Sequence, residues 1–200
     1  MFPDFKNTAL VLIGYQNDYF AEDGILNPVV QSSLAHFNTL PNTVRLLDRI
    51  TKTDATIIST PIQFTSEYME IFQAVGILKT IKDLGAFKKG TDGAKTIPAL
   101  REYGTEILEI PGKRGLNAFS NTKLDDIFVK KEIDTVIIAG VVSSICIDST
   151  GRDAFEKGYR VIILSDCTCA RTIEEQNFYC ENIFPVYSEV MSYSDLFPED

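Results

Sequence analysis

Five apolar runs rich in β-branched residues punctuate the chain: ALVLI (9–13), ATIIST (55–60), EILEI (106–110), DTVIIAG (134–140) and RVIILSD (160–166). A weaker sixth, PVYSEVMS (185–192), closes the series. Their near-continuous apolarity, in place of strict alternation, predicts parallel strands covered on both faces. Between them the apolar period lengthens to that of a helix. Val44, Leu47 and Ile50 share one face after Pro41, a residue suited to a first helical turn. Leu124, Ile127 and Phe128 form a second stripe, with Thr122 as its candidate cap. SICIDSTGRDAFEKGY (144–159) reads as a third helix stopped by Gly158, and a fourth is predicted over roughly 172–183.

Strand and helix in alternation predict an α/β fold. We expect a single domain over 1–200, with a doubly wound, mainly parallel six-stranded sheet flanked by helices. Residues 61–105 break the alternation. They hold a helix-like stretch, SEYMEIFQAVGILKTI, and then a loop-rich passage, FKKGTDGAKTIPAL. An insertion of that length is expected to shape a pocket. In such sheets ligands bind at the carboxyl ends of strands, so those ends are where chemistry is sought.

Composition narrows the choice. A chain of 200 residues, 44% of them hydrophobic, suffices for one sizeable core. A net charge of −9 argues against a nucleic-acid partner, which favours a basic footprint. No apolar run has the length of a membrane span, and MFPDFKNTAL lacks the basic flank and apolar stretch of an export signal. A cytoplasmic protein without a membrane partner is therefore expected. Cys146, Cys167, Cys169 and Cys180 are then expected to be free thiols. One histidine, His36, is too few for the usual donor set of a catalytic zinc and reads as a helix-flank residue. Neither G-x-G-x-x-G nor G-x-x-x-x-G-K-[ST] occurs, which weakens a nucleotide cofactor. No metal and no cofactor are expected.

Two residues stand out at the strand ends. Cys146 falls a few residues past the strand 134–140, at the start of a predicted helix. Free N–H groups and the helix dipole there favour a thiolate, and the same groups can hold an oxyanion. A small buried hydrophobe is the alternative for such a cysteine. Lys113, three residues beyond the strand 106–110, can stabilise a thiolate and hydrogen-bond a carbonyl. A solvated surface lysine is its alternative.

Four segments taken together resemble a known family. ALVLIGYQNDYF is similar to an opening strand followed by aspartate and a Q-N-D-F-type turn. GTDGAKTIPAL is similar to a G-x-x-G-A-x-x-x-P-x-L segment. KRGLNAFSNTKLDDIF is similar to a lysine segment, and IIAGVVSSICIDSTGRDAFEKGYRVIILSD to a nucleophile segment. In this order, from about residue 8 to at least 170, they resemble the isochorismatase-like cysteine hydrolases. That superfamily includes nicotinamidases, N-carbamoylsarcosine amidase and isochorismatases.

The resemblance implies a catalytic aspartate, lysine and cysteine. Lysine and cysteine carry over to Lys113 and Cys146, whereas the aspartate position is occupied by Gly14. It further implies an oxyanion hole from the backbone N–H groups of Val142 and Cys146, and a cis peptide between Val141 and Val142. Tyr15, Gln16, Gln63 and Phe64 become candidate substrate-binding residues. The nicotinamidase branch carries an aspartate–histidine metal site, and true isochorismatases lack the cysteine. The amidase-like branch therefore fits this sequence best, with a small amide or related carbonyl compound as substrate. Without the aspartate, general acid–base catalysis worth roughly 10²–10⁴-fold is missing. The alternative is a non-catalytic member that binds a small molecule or serves as a subunit. A homodimer or homotetramer is the expected assembly.

Overall fold

The structure, a computed structural model, describes residues 3–198. Six strands form one sheet: β1 (Thr8–Ile13), β2 (Thr56–Thr60), β3 (Ile107–Glu109), β4 (Thr135–Val141), β5 (Arg160–Cys169) and β6 (Glu189–Met191). Their order is β3-β2-β1-β4-β5-β6, and every neighbouring pair is parallel. The helices in chain order are α1 (Asn17–Phe20), α2 (Asn27–His36), α3 (Thr39–Ile50), α4 (Gly76–Leu84), α5 (Pro98–Arg101), α6 (Leu124–Lys130), α7 (Asp148–Glu156), α8 (Ile173–Phe178) and α9 (Tyr193–Leu196).

The apolar runs explain the centre of the sheet. Every residue of β1 and of β4 is buried, as expected of strands covered on both faces. Side chains alternate between two cores. Ala9, Val11 and Ile13 join one with Phe128, Ala154 and Phe184, while Leu10 and Leu12 join the other with Leu46, Leu47 and Ile50. The edge strands β3 and β6 have three residues each and none of these is fully buried. Short edges of this kind discourage pairing with another chain.

Several local expectations are corrected. The predicted helix over 66–81 is confined to Gly76–Leu84, because the stretch from Thr65 to Val75 is held in turns by the Glu70 carboxylate and Tyr68. α3 begins at Thr39, two residues before Pro41, and buries Thr43, Leu46, Leu47 and Ile50, leaving Val44 half-buried. α6 begins at Leu124, and Thr122 accepts from its first N–H, one residue outside the position expected of a cap. The fourth predicted helix is α8 followed by a π-helical turn, Tyr179–Ile183. α2 was not foreshadowed. Its weakly amphipathic NPVVQSSLAH buries only Asn27, Val30 and Ser33, and it ends at the exposed His36.

The direction of winding across the sheet reverses at its middle. From β1 the chain winds outward through β2 to β3, and then returns to β4 on the other side of β1. The carboxyl ends of β1 and β4 therefore flank the topological switch point, where such sheets open a crevice. Gly140 lets the two strands come together there. A Cβ at 140 would lie 1.9 Å from the Ile13 carbonyl oxygen, and the residue has φ +126°. Gly140→Ala is expected to lower stability by about 3 kcal/mol. Gly115→Ala, which meets open space, should stay within about 0.5 kcal/mol. Urea midpoints measure both, and equal shifts would refute the close-approach role of Gly140.

Candidate active site

The switch point gathers three segments. The first is the end of β1, Gly14. The second is the loop after β3, which carries Lys113. The third is the turn after β4, which carries Cys146. Lys113 Nζ donates to the Cys146 sulfur at 3.4 Å and to the Gly115 carbonyl at 2.6 Å. Both side chains are enclosed, with Lys113 0% and Cys146 3% exposed.

Each partner is held by its own scaffold. Beyond β3, Lys113 continues the strand pairing as an isolated parallel bridge to Ile62, and its carbonyl accepts from Gln63 N at 3.3 Å. The next residues are tied to α7. Ala118 N donates to Thr150 Oγ1 at 3.0 Å, and Asn117 Nδ2 donates to Asp153 Oδ2 at 2.7 Å. Because α7 begins directly after the Cys146 turn, these bonds fix the lysine loop against the segment that carries Cys146.

On the cysteine side, the Val141–Val142 peptide bond is cis. A π-helical turn, Ser143–Ile147, follows and leads into α7. Such turns occur often at functional sites. Ile145 N and Ile147 N both donate to the Val142 carbonyl, at 3.0 and 3.2 Å. Ser143 Oγ donates to Gln176 Oε1 at 2.6 Å. Gln176 Nε2 in turn donates to the Ser165 carbonyl at 3.1 Å and to Thr168 Oγ1 at 3.0 Å. Gln176, Thr150, Asn117 and Asp153 were not singled out in the sequence. Each acts across a long stretch of chain, so no local pattern marks it.

Electrostatics set the pair apart. Among the described residues no carboxylate forms an ion pair with Lys113. A buried ammonium without a counter-charge costs several kcal/mol. Among the described residues the Cys146 sulfur is the side-chain atom that the Lys113 amine hydrogen-bonds. The other cysteines are free thiols in different surroundings. Burial pushes Cys169 and Cys180 up to about 12 and raises Cys167 strongly as well.

Gly14 has φ +75°, and a Cβ placed on it would lie 2.7 Å from the Val141 carbonyl oxygen and 2.8 Å from Val141 Cγ2. The position thus lacks a side chain and, in this backbone, lacks room for one. Asp18 is committed elsewhere. Its carboxylate accepts from Phe87 N at 2.6 Å and lies against Gly93, and burial raises its pKa.

Two candidate substrate-binding residues are corrected. Tyr15 lies in the core on the other face of the sheet, with its hydroxyl bonded to Thr43 Oγ1 at 2.6 Å and to the Cys167 carbonyl at 3.1 Å. Gln16 spends its amide on the scaffold: Nε2 donates to Ile62 O and Ala94 O, and Oε1 accepts from Ile62 N, all at 2.8 Å. Neither has a polar group left for a ligand. Gln63 and Phe64 do line a cavity of about 300 Å³, with Lys89 and Arg114. A second cavity, of about 600 Å³, is lined by Arg114, Gly115, Asn117 and Ser149. Among the described residues no cluster of histidine, cysteine, aspartate and glutamate could hold a metal ion. No helix among them is long and apolar enough to cross a membrane.

The Isochorismatase domain family matches residues 8–195. The chain belongs to the isochorismatase family. An uncharacterized isochorismatase family protein of Bacillus subtilis, YwoC, is 28% identical over 186 residues, covering 91% of this chain and 88% of its own. The ureidoacrylate amidohydrolase RutB of Rhizobium rhizogenes is 24% identical over 175 residues, covering 82% and 70%. A cysteine hydrolase from Pseudomonas syringae pv. phaseolicola shares the fold with a TM-score of 0.83 at 18% identity, covering 98% of this chain and 93% of that one. This isochorismatase-family chain therefore holds the parallel sheet of its relatives, with the Lys113–Cys146 contact at the switch point.

Gln176→Leu should loosen the nucleophile turn, because Ser143 Oγ loses its partner inside the core. The expected loss is about 2–3 kcal/mol, read as a lower urea midpoint with an unchanged slope. A variant as stable as the parent would show that the bridge does not anchor the turn.

Proposed function

We infer that this isochorismatase-family protein is a hydrolase acting on a small amide or related carbonyl compound, with Cys146 as nucleophile. The observation that carries this reading is the enclosed contact between Lys113 Nζ and the Cys146 sulfur, 3.4 Å long and free of any carboxylate ion pair. The kinship with an amidohydrolase supports a C–N bond as the family's habitual target. In this reading Lys113 balances the sulfur's charge during attack. The backbone N–H groups of Val142 and Cys146 receive the carbonyl oxygen as it becomes an oxyanion. The acyl group moves to sulfur, the leaving group departs, and water then releases the acid.

Gly14 stands where the family resemblance places a general base, so proton transfer is the weak step. Leaving groups that depart without a proton suit such a site best. The chain should therefore cleave activated esters and thioesters about 10²–10⁴-fold better than plain amides, the usual worth of a general acid–base group. Restoring the carboxylate by Gly14→Asp is not expected to rescue amide cleavage, because a Cβ there meets Val141.

A second reading is favoured by the closure of the pair, 0% and 3% exposed, together with Gly14: a protein that binds a small molecule without transforming it. Turnover of a panel of p-nitrophenyl esters, thioesters and amides separates the two. Activity in the parent that vanishes in Cys146→Ala supports hydrolysis. Activity that survives in Cys146→Ala excludes the nucleophile, and its absence from the parent favours the binder.

Thiol labelling gives an independent check. At neutral pH, iodoacetamide should modify Cys146 ahead of Cys180, even though Cys180 is the more exposed of the two. Lys113→Met should slow labelling of Cys146 at least about tenfold, since only the thiolate reacts. Peptide mapping by mass spectrometry reads both outcomes, and first labelling at Cys180 would contradict the assignment.

A further inference from the structure

The segment that follows β2 is paired on both sides. Ile62 forms a parallel bridge with Lys113, and Gln63 N donates to the Lys113 carbonyl at 3.3 Å. Phe64 bridges Lys88 in the same way. Phe64 N donates to the Phe87 carbonyl at 2.9 Å, and Lys89 N donates to the Phe64 carbonyl at 2.8 Å. Residues 62–64 thereby hold both the 87–89 segment and the lysine loop. Lys89 comes from the first and Arg114 from the second, and both line the cavity of about 300 Å³.

Charge in that cavity is uneven. Lys89 and Arg114 are exposed, and neither side chain has a hydrogen bond or an ion pair among the described residues. Glu70 is the cavity's carboxylate and lies within electrostatic reach of Arg114. It is already engaged, accepting from Thr65 N at 3.1 Å and from Thr65 Oγ1 at 2.8 Å. Two cations against one engaged carboxylate leave a positive surplus, in a chain whose net charge is −9. The Gln63 side-chain amide is also without a partner among the described residues, and Phe64, 1% exposed, adds an apolar wall.

We propose that Arg114, Lys89 and Gln63 form a carboxylate-binding subsite. A guanidinium offers a carboxylate two parallel N–H donors, an ammonium adds a point charge, and an amide adds a neutral donor. The volume is at the small end of ligand sites, which suits a compact acid. The subsite shares its loop with the enclosed amine. Lys113 turns in to the Cys146 sulfur, and the next residue, Arg114, stays exposed at the cavity. The carboxylate is carried by the substrate or by a separate small anion. The first source rests on the reading of Cys146 as nucleophile, whereas the subsite itself does not.

The test is calorimetric titration of the intact protein with succinate, with neutral succinamide as the control. The parent should bind succinate with a Kd of about 1 mM or lower. Arg114→Gln and Lys89→Gln should each weaken it at least about fivefold, the upper worth of one exposed charge pair. Both altered side chains are exposed, so the fold should tolerate the changes. Lys130→Gln, on α6 and outside the cavity, should change binding by less than about twofold. No binding of succinate by the parent, equal binding of succinamide, or equal losses in all three variants would overturn the subsite. Mono-p-nitrophenyl succinate and its neutral methyl ester then identify the source. A preference for the charged ester of at least about fivefold, erased by Arg114→Gln, assigns the carboxylate to the substrate. Equal cleavage of the two esters beside bound succinate assigns it to a separate anion. A parent that binds succinate and cleaves neither ester counts against the hydrolase reading and leaves the subsite standing.

Discussion

The amine of Lys113 is enclosed in the protein, and among the described residues the side-chain atom it hydrogen-bonds is the Cys146 sulfur. Lys113 has no accessible surface, and its other contact is the neutral carbonyl of Gly115. Desolvation makes an unpaired charge expensive, and a nearby anion offsets that cost. The surrounding bonds serve this contact. Thr150 and Asp153 on α7 hold the lysine loop, and Gln176 on α8 holds Ser143 in the turn that carries Cys146. The site is in effect braced from both sides of the helix that follows the cysteine.

The sheet supplies the meeting place. Outward winding from β1 to β3 and the return to β4 leave the ends of β1 and β4 as neighbours with connections running away on opposite sides. Close approach there depends on glycine. Gly140 faces the Ile13 carbonyl, and Gly14 faces Val141, each at a positive φ. At Gly14 a Cβ would meet the Val141 carbonyl oxygen and side chain, so the backbone path there leaves no room for a larger residue.

Much of this was legible in the chain. The runs at 9–13, 55–60, 134–140 and 160–166 coincide with the four long strands, since strands buried on both faces must be apolar at nearly every position. Gly158 stops the helix after β4 at φ +90°, as a residue without Cβ can. Order broke down where local composition was ambiguous. Residues 65–75 read as helical, but the Glu70 carboxylate and the Tyr68 hydroxyl found turn and loop partners that outweighed the helical period. Tyr15 and Gln16 read as pocket residues because they follow a strand end, yet neighbouring positions there face opposite ways and both are consumed by the scaffold.

By itself the sequence determined the strands, the main helices, their alternation and the two side chains that carry charge chemistry, because periodicity and residue type are local properties. Only the tertiary structure decided that Lys113 and Cys146, 33 residues apart, sit 3.4 Å from each other. It alone decided that Gly14 has no room for a side chain, and that Gln176 bears on the turn that carries Cys146. Those facts depend on which strands become neighbours and how closely they approach. That is settled by the joint burial of segments far apart in the chain, which no window along it can contain.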